Sequence, residues 1–324
     1  MADSWARRRV LVTGASGVIG SWLVKELLAA GAEVVALVPE LEPGSELARS
    51  GDIDRVARVG GWLEDLGTLA RTIGSHEIDT VFHLGAQTLV VPAQRNPLPT
   101  WEANVRGTYN LLEACRLHSG LVERVVVASS DKAYGAADEL PYTESSRLEA
   151  RNPYEVSKAC ADLIAHSYAH AYSIPVAVAR CGNVYGGGDL NWSRLVPGTI
   201  RSFLAGERPQ IRSDGTHVRD YLYVKDAARS YLALADRLDD ERVRGQAFNF
   251  GTGVPHTVLE VVQMLRDRMG CDGLEPEILA SAEGEIETQV LSFEKASTLL
   301  GWQPQYRLED GLPETIDWYR AYLS

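Results

Sequence analysis

Three short stretches of this 324-residue chain combine residue types that move protons or hold phosphates. The first, Ser129-Ser130-Asp131-Lys132, follows directly on the apolar run Val125-Val126-Val127-Ala128 and sets two hydroxyls, an acid and a base side by side. At a strand end such a set is either a solvated ion pair, worth little, or an acid–base group facing a reactant. The stretch alone leaves both open. The second is Tyr154 and Lys158, whose spacing puts both on one face of a helix. A phenol acting as a base near neutral pH needs its pKa lowered by about three units, or about 4 kcal/mol. An ammonium about 5 Å away, at an effective dielectric of about 20, supplies about 3 kcal/mol of that. Tyr221 and Lys225 repeat the spacing in "YLYVK", but that run reads as a strand, where four residues span about 13 Å and the two groups cannot cooperate. The third stretch is "VLVTGASGVIG", with Gly14, Gly17 and Gly20 between a β-rich run and a helical one. Glycine is needed where a backbone turns tightly against a pyrophosphate whose charge meets a helix N-terminus, so this stretch predicts dinucleotide binding.

These groups need elements to hold them. From residue 9 to about 182 short β-rich runs ("VLV", "EVVALV", "TVFHLGA", "RVVVASS", "PVAVAR") alternate with helical stretches. That alternation predicts an α/β fold with a doubly wound parallel sheet, whose ligands sit at the carboxyl ends of the strands. Asn152 as N-cap, Pro153 at the first helical position and Glu155 at the third predict a helix carrying Tyr154 and Lys158. Residues 1–182 read as the dinucleotide-binding domain, with parts of 220–252 returning to it, and 183–324 as mainly a smaller interleaved lobe. Glu40, twenty residues beyond Gly20, stands where an acid accepts the ribose hydroxyls of NAD, the alternative being a solvent-facing loop residue, and no arginine stands there to meet the phosphate of NADP. The cofactor reads as NAD, with NADP left open.

Composition narrows the classes. A hydrophobic content of 45% suffices for a substantial core, and a net charge of −12 argues against nucleic acid as a partner. Cys115, Cys160, Cys181 and Cys271 lie far apart without a paired motif, as expected of reduced thiols in the cytoplasm. No apolar run is long enough for a signal segment or a membrane span, so no membrane association is expected, and Arg7 to Arg9 read as a solvated lead-in to the first strand. Asp162, His166 and His170 share one helix face at metal-ligand spacing, but that face reads as exposed or packed on a partner, and no metal is expected. His83 reads as a satisfied core histidine.

Together, the glycine stretch, the Ser129-Ser130 strand end and Tyr154-x-x-x-Lys158 resemble the extended short-chain dehydrogenase/reductase family, in particular its nucleotide-sugar epimerases and dehydratases. The likeness runs through nearly the whole chain: "HLGAQ", "ANVRGTYNLLEAC", "RCGNVYGGGD", "SDGTHVRDYLYVKDA" and "KASTLLGWQPQYRLEDGL" stand in the family's order. The resemblance implies a Rossmann-like sheet and a nucleotide-diphosphate sugar bound mainly by residues 183–324. It places Ser16, Val18, Ile19, Leu84 and Ala86 with the glycines and Glu40 around the dinucleotide. It implies that Ser130 bonds the sugar oxygen being oxidised, Tyr154 takes its proton, and Lys158 holds the nicotinamide ribose. Gln87, Asn183, Arg219 and, more loosely, Arg194 would hold the substrate; the alternative for Arg219 is an ion pair with Asp220 or another acid. It also implies a homodimer through a four-helix contact that includes the Tyr154 helix.

Three positions depart from the family pattern. Trp62 in "GGWLED" replaces the aspartate that touches adenine, so adenine stacks on the ring or the loop is displaced. Ala282 replaces an arginine of the diphosphate grip, and Pro39 an NADP-selecting arginine. The family's 4-epimerases typically have small or neutral residues after the catalytic hydroxyl, whereas its 4,6-dehydratases carry an acid there. Asp131-Lys132 with "GNVYGGGD" most resembles the CDP-glucose 4,6-dehydratase branch, with the GDP-mannose type beside it. The alternatives are a nucleotide-sugar 4-epimerase and a catalytically silent dinucleotide-binding scaffold.

Overall fold

The computed structural model describes residues 5–281 and 285–324, so the departure at Ala282 lies outside the described residues. The five β-rich runs of the first half become strands β1 (Arg9–Thr13), β2 (Glu33–Leu37), β4 (Thr80–His83), β5 (Arg124–Ser130) and β6 (Val176–Cys181), and a short strand that the runs did not include, β3 (Ala57–Val59), lies between β2 and β4 in the chain. A seventh strand, Ala247–Phe250, returns from late in the chain to complete one parallel sheet in the order Ala247–Phe250, β6, β5, β4, β1, β2, β3. The strand order reverses between β1 and β4, which opens a crevice at their carboxyl ends.

Alternate residues along each strand feed two cores. Val10, Val12, Val34, Ala36 and Val126 pack on one face with helices Val18–Ala29 and Val224–Ala235. Leu11, Val35, Leu37, Val125 and Val127 pack on the other, with helices Leu66–Ser75 and Gly107–Leu117 and Ala165 of Pro153–Tyr172. This is the period-two pattern of strands covered on both sides, and it gives the doubly wound α/β architecture. The four cysteines are free thiols.

A second sheet lies beyond the crevice. Strand Val218–Tyr223 pairs with Asn183–Tyr185, with Pro255–Thr257 and with Thr288–Gln289. Its register sets Asn183 opposite Tyr221 and Gln289 opposite Arg219, so three distant segments meet at one edge of the crevice. The strand ends at Tyr223, and Lys225 falls in the first turn of the next helix with its ammonium on Glu314 at 2.6 Å. The "YLYVK" run is therefore strand and helix rather than strand throughout, and Lys225 is engaged away from Tyr221.

Candidate active site

The crevice holds one continuous cavity of about 1700 Å³, and each sequence-proposed site residue, from Gly14 to Arg219, lines it. At its centre the glycine turn follows β1. Gly14 has φ +67°, and a Cβ there would lie 2.7 Å from the Gly85 nitrogen; one on Gly20 would lie 2.1 Å from the Gly14 carbonyl. Only glycine fits both positions. The turn delivers Gly17 as the N-cap of the twelve-residue helix Val18–Ala29, with no side chain capping its free amides. Ser16, Val18 and Ile19 line the cavity beside it, and Glu40 lies exposed farther along. A backbone brought this close, with unsatisfied amides facing a cavity, fits a pyrophosphate.

His83 anchors the neighbouring loop. Its ring nitrogens meet the Thr13 hydroxyl at 2.8 Å and the Thr108 hydroxyl at 3.1 Å, and burial, followed by the charge of Lys158, pushes its pKa down to about 3. The Thr13 oxygen also accepts from the Gly85 amide at 3.0 Å, which fixes the turn that presents Leu84, Ala86 and Gln87. Asn104 clamps the same turn, accepting from the Gln87 amide at 2.7 Å and donating to the Gln87 carbonyl at 2.9 Å and to Ser157 at 2.8 Å. Asn104 thereby ties the loop to the Tyr154 helix, a role its sequence context did not announce.

The reactive groups collect beyond β5. Helix Pro153–Tyr172 starts as expected, with Asn152 capping, Pro153 first, and the Glu155 carboxylate accepting from the Asn152 amide at 3.2 Å. It places Tyr154 against Ser130, whose hydroxyl also donates to Asp131 at 2.8 Å. The Lys158 ammonium donates to the Ala128 carbonyl at 3.0 Å.

The expected coupling differs in form. Burial pushes the Tyr154 phenol up to about 12 against the opposing pull of the Arg194 charge, and burial also brings Lys158 down to about 8. Desolvation outweighs the attraction worked from spacing alone, because both groups lie inside the protein and the ammonium is aimed at a backbone carbonyl.

Asp131 and Lys132 are not a solvated pair. Asp131 is 2% exposed and one of its carboxylate oxygens, Oδ2, has no partner. The Lys132 ammonium donates instead to Gln289 Oε1 at 2.8 Å, and burial lowers its pKa, with Asp131 opposing and Arg219 assisting. Gln289 is fully buried. It lies 157 residues from Lys132 in the chain and reaches it only through the register of the second sheet, so no local signal marks it.

The turn is braced from behind. Tyr134 donates to Asn249 at 2.6 Å and accepts from Arg180 at 2.8 Å, and Arg180 makes a two-pronged pair with Asp162 at 2.7 and 2.9 Å. Asp162 also meets His166 at 3.1 Å. This corrects the expectation for that helix face: Asp162 points into the protein, where its neighbour is a buried guanidinium.

At the far side Asn183 lines the cavity with its Nδ2 buried and unpartnered. Arg219 donates to the Val218 and Glu287 carbonyls at 2.8 and 3.0 Å, with Glu285 at 3.9 Å. The acid beside it is therefore Glu285 and not Asp220. Asp220 faces the opposite way and accepts from the Thr252 amide and hydroxyl at 2.8 and 2.6 Å and from the Gly253 amide at 3.0 Å. Arg194 pairs with Asp189 at 3.0 Å at the cavity wall.

The chain belongs to the NAD dependent epimerase/dehydratase family, whose model matches residues 10–251. It is 30% identical to CDP-glucose 4,6-dehydratase of Salmonella typhimurium over 98% of this chain and 92% of that one. To UDP-glucose 4-epimerase of Halalkalibacterium halodurans it is also 30% identical, over 97% and 96% of the two chains. The solved dTDP-glucose 4,6-dehydratase DesIV from Streptomyces venezuelae, with NAD and TYD bound, superimposes with a TM-score of 0.86 at 32% identity, covering 97% of both chains. The cofactor is accordingly NAD, and the protein is an enzyme of the sugar-nucleotide dehydratase and epimerase group.

Proposed function

We propose that this protein is an NAD-dependent nucleotide-diphosphate-hexose 4,6-dehydratase acting on a CDP-glucose- or GDP-mannose-like substrate and giving a 4-keto-6-deoxy sugar nucleotide. The observation that carries the reading is the placement of Asp131 and Lys132 inside the cavity, next to Ser130 and Tyr154 and unpaired with each other. A 4-epimerase moves hydrogen at one carbon and has no use for a second acid and base. A dehydratase needs both, because after C4 is oxidised a proton must leave C5 and a hydroxyl must leave C6.

NAD, when bound, supplies the hydride acceptor and donor. Gly14, Ser16, Gly17, Val18, Ile19, Gly20, Glu40, Leu84, Ala86 and Lys158 would hold it. Tyr154 takes the proton of the C4 hydroxyl while Ser130 bonds that oxygen. Lys132, with its pKa lowered by burial, takes the C5 proton as a neutral amine, and Asp131, in its protonated form, gives its proton to the C6 oxygen, which leaves as water. Gln87, Asn183, Arg194 and Arg219 orient the sugar nucleotide, with the unpartnered Asn183 Nδ2 as a free donor.

In the same reading residues 1–182, joined by strand Ala247–Phe250, form the dinucleotide domain and 183–324 mainly the sugar-nucleotide lobe. The chain works as a cytoplasmic homodimer through the exposed Tyr109 and Leu163 on helices Gly107–Leu117 and Pro153–Tyr172. Among the described residues no helix is long and apolar enough to cross a membrane. The test is incubation with CDP-, GDP-, UDP- and dTDP-hexoses followed by mass analysis. A product lighter by one water supports the dehydratase. Unchanged mass with inverted C4 makes the chain an epimerase, and no conversion of any hexose makes it a binding protein.

A further inference from the structure

The dinucleotide site has two ends, and the groups already placed tell them apart. The pyrophosphate belongs at the glycine turn beyond β1. Ser130, Tyr154 and Lys158 stand beyond β5, on the β4 side of the switch point, so the reactive half of the dinucleotide extends that way. The adenosine half must then extend over β2 and β3, where Leu37, Pro39, Glu40, Gly61 and Trp62 form the cavity wall. Trp62 is 59% exposed, and no other tryptophan among the described residues is exposed.

Several groups around Trp62 are committed to the protein, while Glu64 lines the cavity beside it. The Asp65 carboxylate caps helix Leu66–Ser75, accepting from the Thr68 amide at 3.1 Å and from its hydroxyl at 2.6 Å. Leu63 is buried, with its carbonyl accepting from Asn110 at 3.1 Å. The loop keeps its place after β3: the Val38 amide donates to the Val59 carbonyl at 3.0 Å, and the Asp65 amide to the Trp62 carbonyl at 3.2 Å. Gly61 packs so closely that a Cβ there would lie 2.6 Å from Thr68 Cγ2. The loop is therefore anchored rather than displaced, and what it presents to the adenosine end is a flat indole, with the Asp65 carboxylate already in use. An exposed indole gains by covering its face with another flat ring, and every purine has one to offer.

We infer that Trp62 stacks on the adenine base of the dinucleotide and supplies much of the affinity for that half. Trp62→Ala, measured by equilibrium binding to the full chain stripped of nucleotide, is expected to weaken NAD by roughly 5- to 150-fold, the range base–aromatic stacking provides. Trp62→Phe, which keeps a smaller flat ring, should stay within about threefold of the parent protein. Nicotinamide mononucleotide, which lacks adenine, should compete with the same affinity for the parent and Trp62→Ala proteins. Unchanged NAD affinity in Trp62→Ala would overturn the inference, as would an equal loss for nicotinamide mononucleotide, which would mark a general disturbance of the cavity.

Discussion

Replacing Lys132 by methionine removes one nitrogen while keeping most of the side chain's length, and that nitrogen has two separable roles. If it takes the C5 proton, its loss should slow exchange of solvent deuterium into C5 by about 10²–10⁴, or about 3–5 kcal/mol at about 1.4 kcal/mol per decade. Oxidation at C4, which depends on Ser130 and Tyr154, should survive, so reduced dinucleotide and a 4-keto sugar accumulate without loss of water. The nitrogen is also the donor to buried Gln289 Oε1 at 2.8 Å. Stranding that oxygen should cost about 1–3 kcal/mol of stability. The Lys132→Met/Gln289→Leu double variant removes both partners, so it should regain much of the stability and none of the exchange. Quenched-flow reaction in deuterated buffer, read by mass and proton spectra, gives the chemistry, and denaturant titration gives the stability. Normal C5 exchange in Lys132→Met would refute the base role. Recovery of exchange in the double variant would show that the single variant had merely disturbed the fold.

Tyr154→Phe should reduce turnover by about 10²–10⁴ while dinucleotide affinity stays unchanged in a binding titration, because only the titrating hydroxyl is lost; full activity would remove Tyr154 from the proton transfer. His83 gives a stability prediction with a definite sign. Its folded pKa of about 3 lies below its ordinary 6.5, so the unfolded chain binds the proton first and stability is lost as pH falls from about 6.5 toward 3. The loss is about 1.4 kcal/mol per pH unit, reaching about 2 kcal/mol at about pH 5. His83→Gln should flatten that part of the stability–pH curve in denaturant titrations, and an unchanged slope would show that His83 does not set it.

What could be read from the sequence was what depends on neighbours in the chain. The strand runs were legible because alternate residues of each feed opposite cores, and the glycine turn because its spacing is the geometry itself. Tyr154 and Lys158 were legible because Asn152, Pro153 and Glu155 start their helix within the same few residues. Lys225 was misplaced because no glycine or proline marks the passage from strand to helix at Tyr223. Spacing brought Lys158 near Tyr154 but could not say that its ammonium would bond the Ala128 carbonyl. Gln289 and the Arg180–Asp162 pair were beyond reach for a different reason. Each meets its partner only through the register of a sheet or the packing of a helix on it, and neither leaves a local pattern.

Asp131 and Lys132 show why that distinction matters for function. As neighbours in sequence they look like an ion pair, yet in the short turn Asp131–Tyr134 each bonds a different partner. Lys132 finds Gln289, and Asp131 keeps one buried oxygen without a partner. Leaving a buried polar group unsatisfied costs about 1–3 kcal/mol, and pairing with the adjacent ammonium would remove that cost. The fold does the opposite: Arg180 and Asn249 fix the Tyr134 end of the turn, and Asp131 and Lys132 line the cavity without bonding each other. An acid kept short of a partner beside a lysine with a lowered pKa is poorly arranged for stability and well arranged to exchange protons with a ligand.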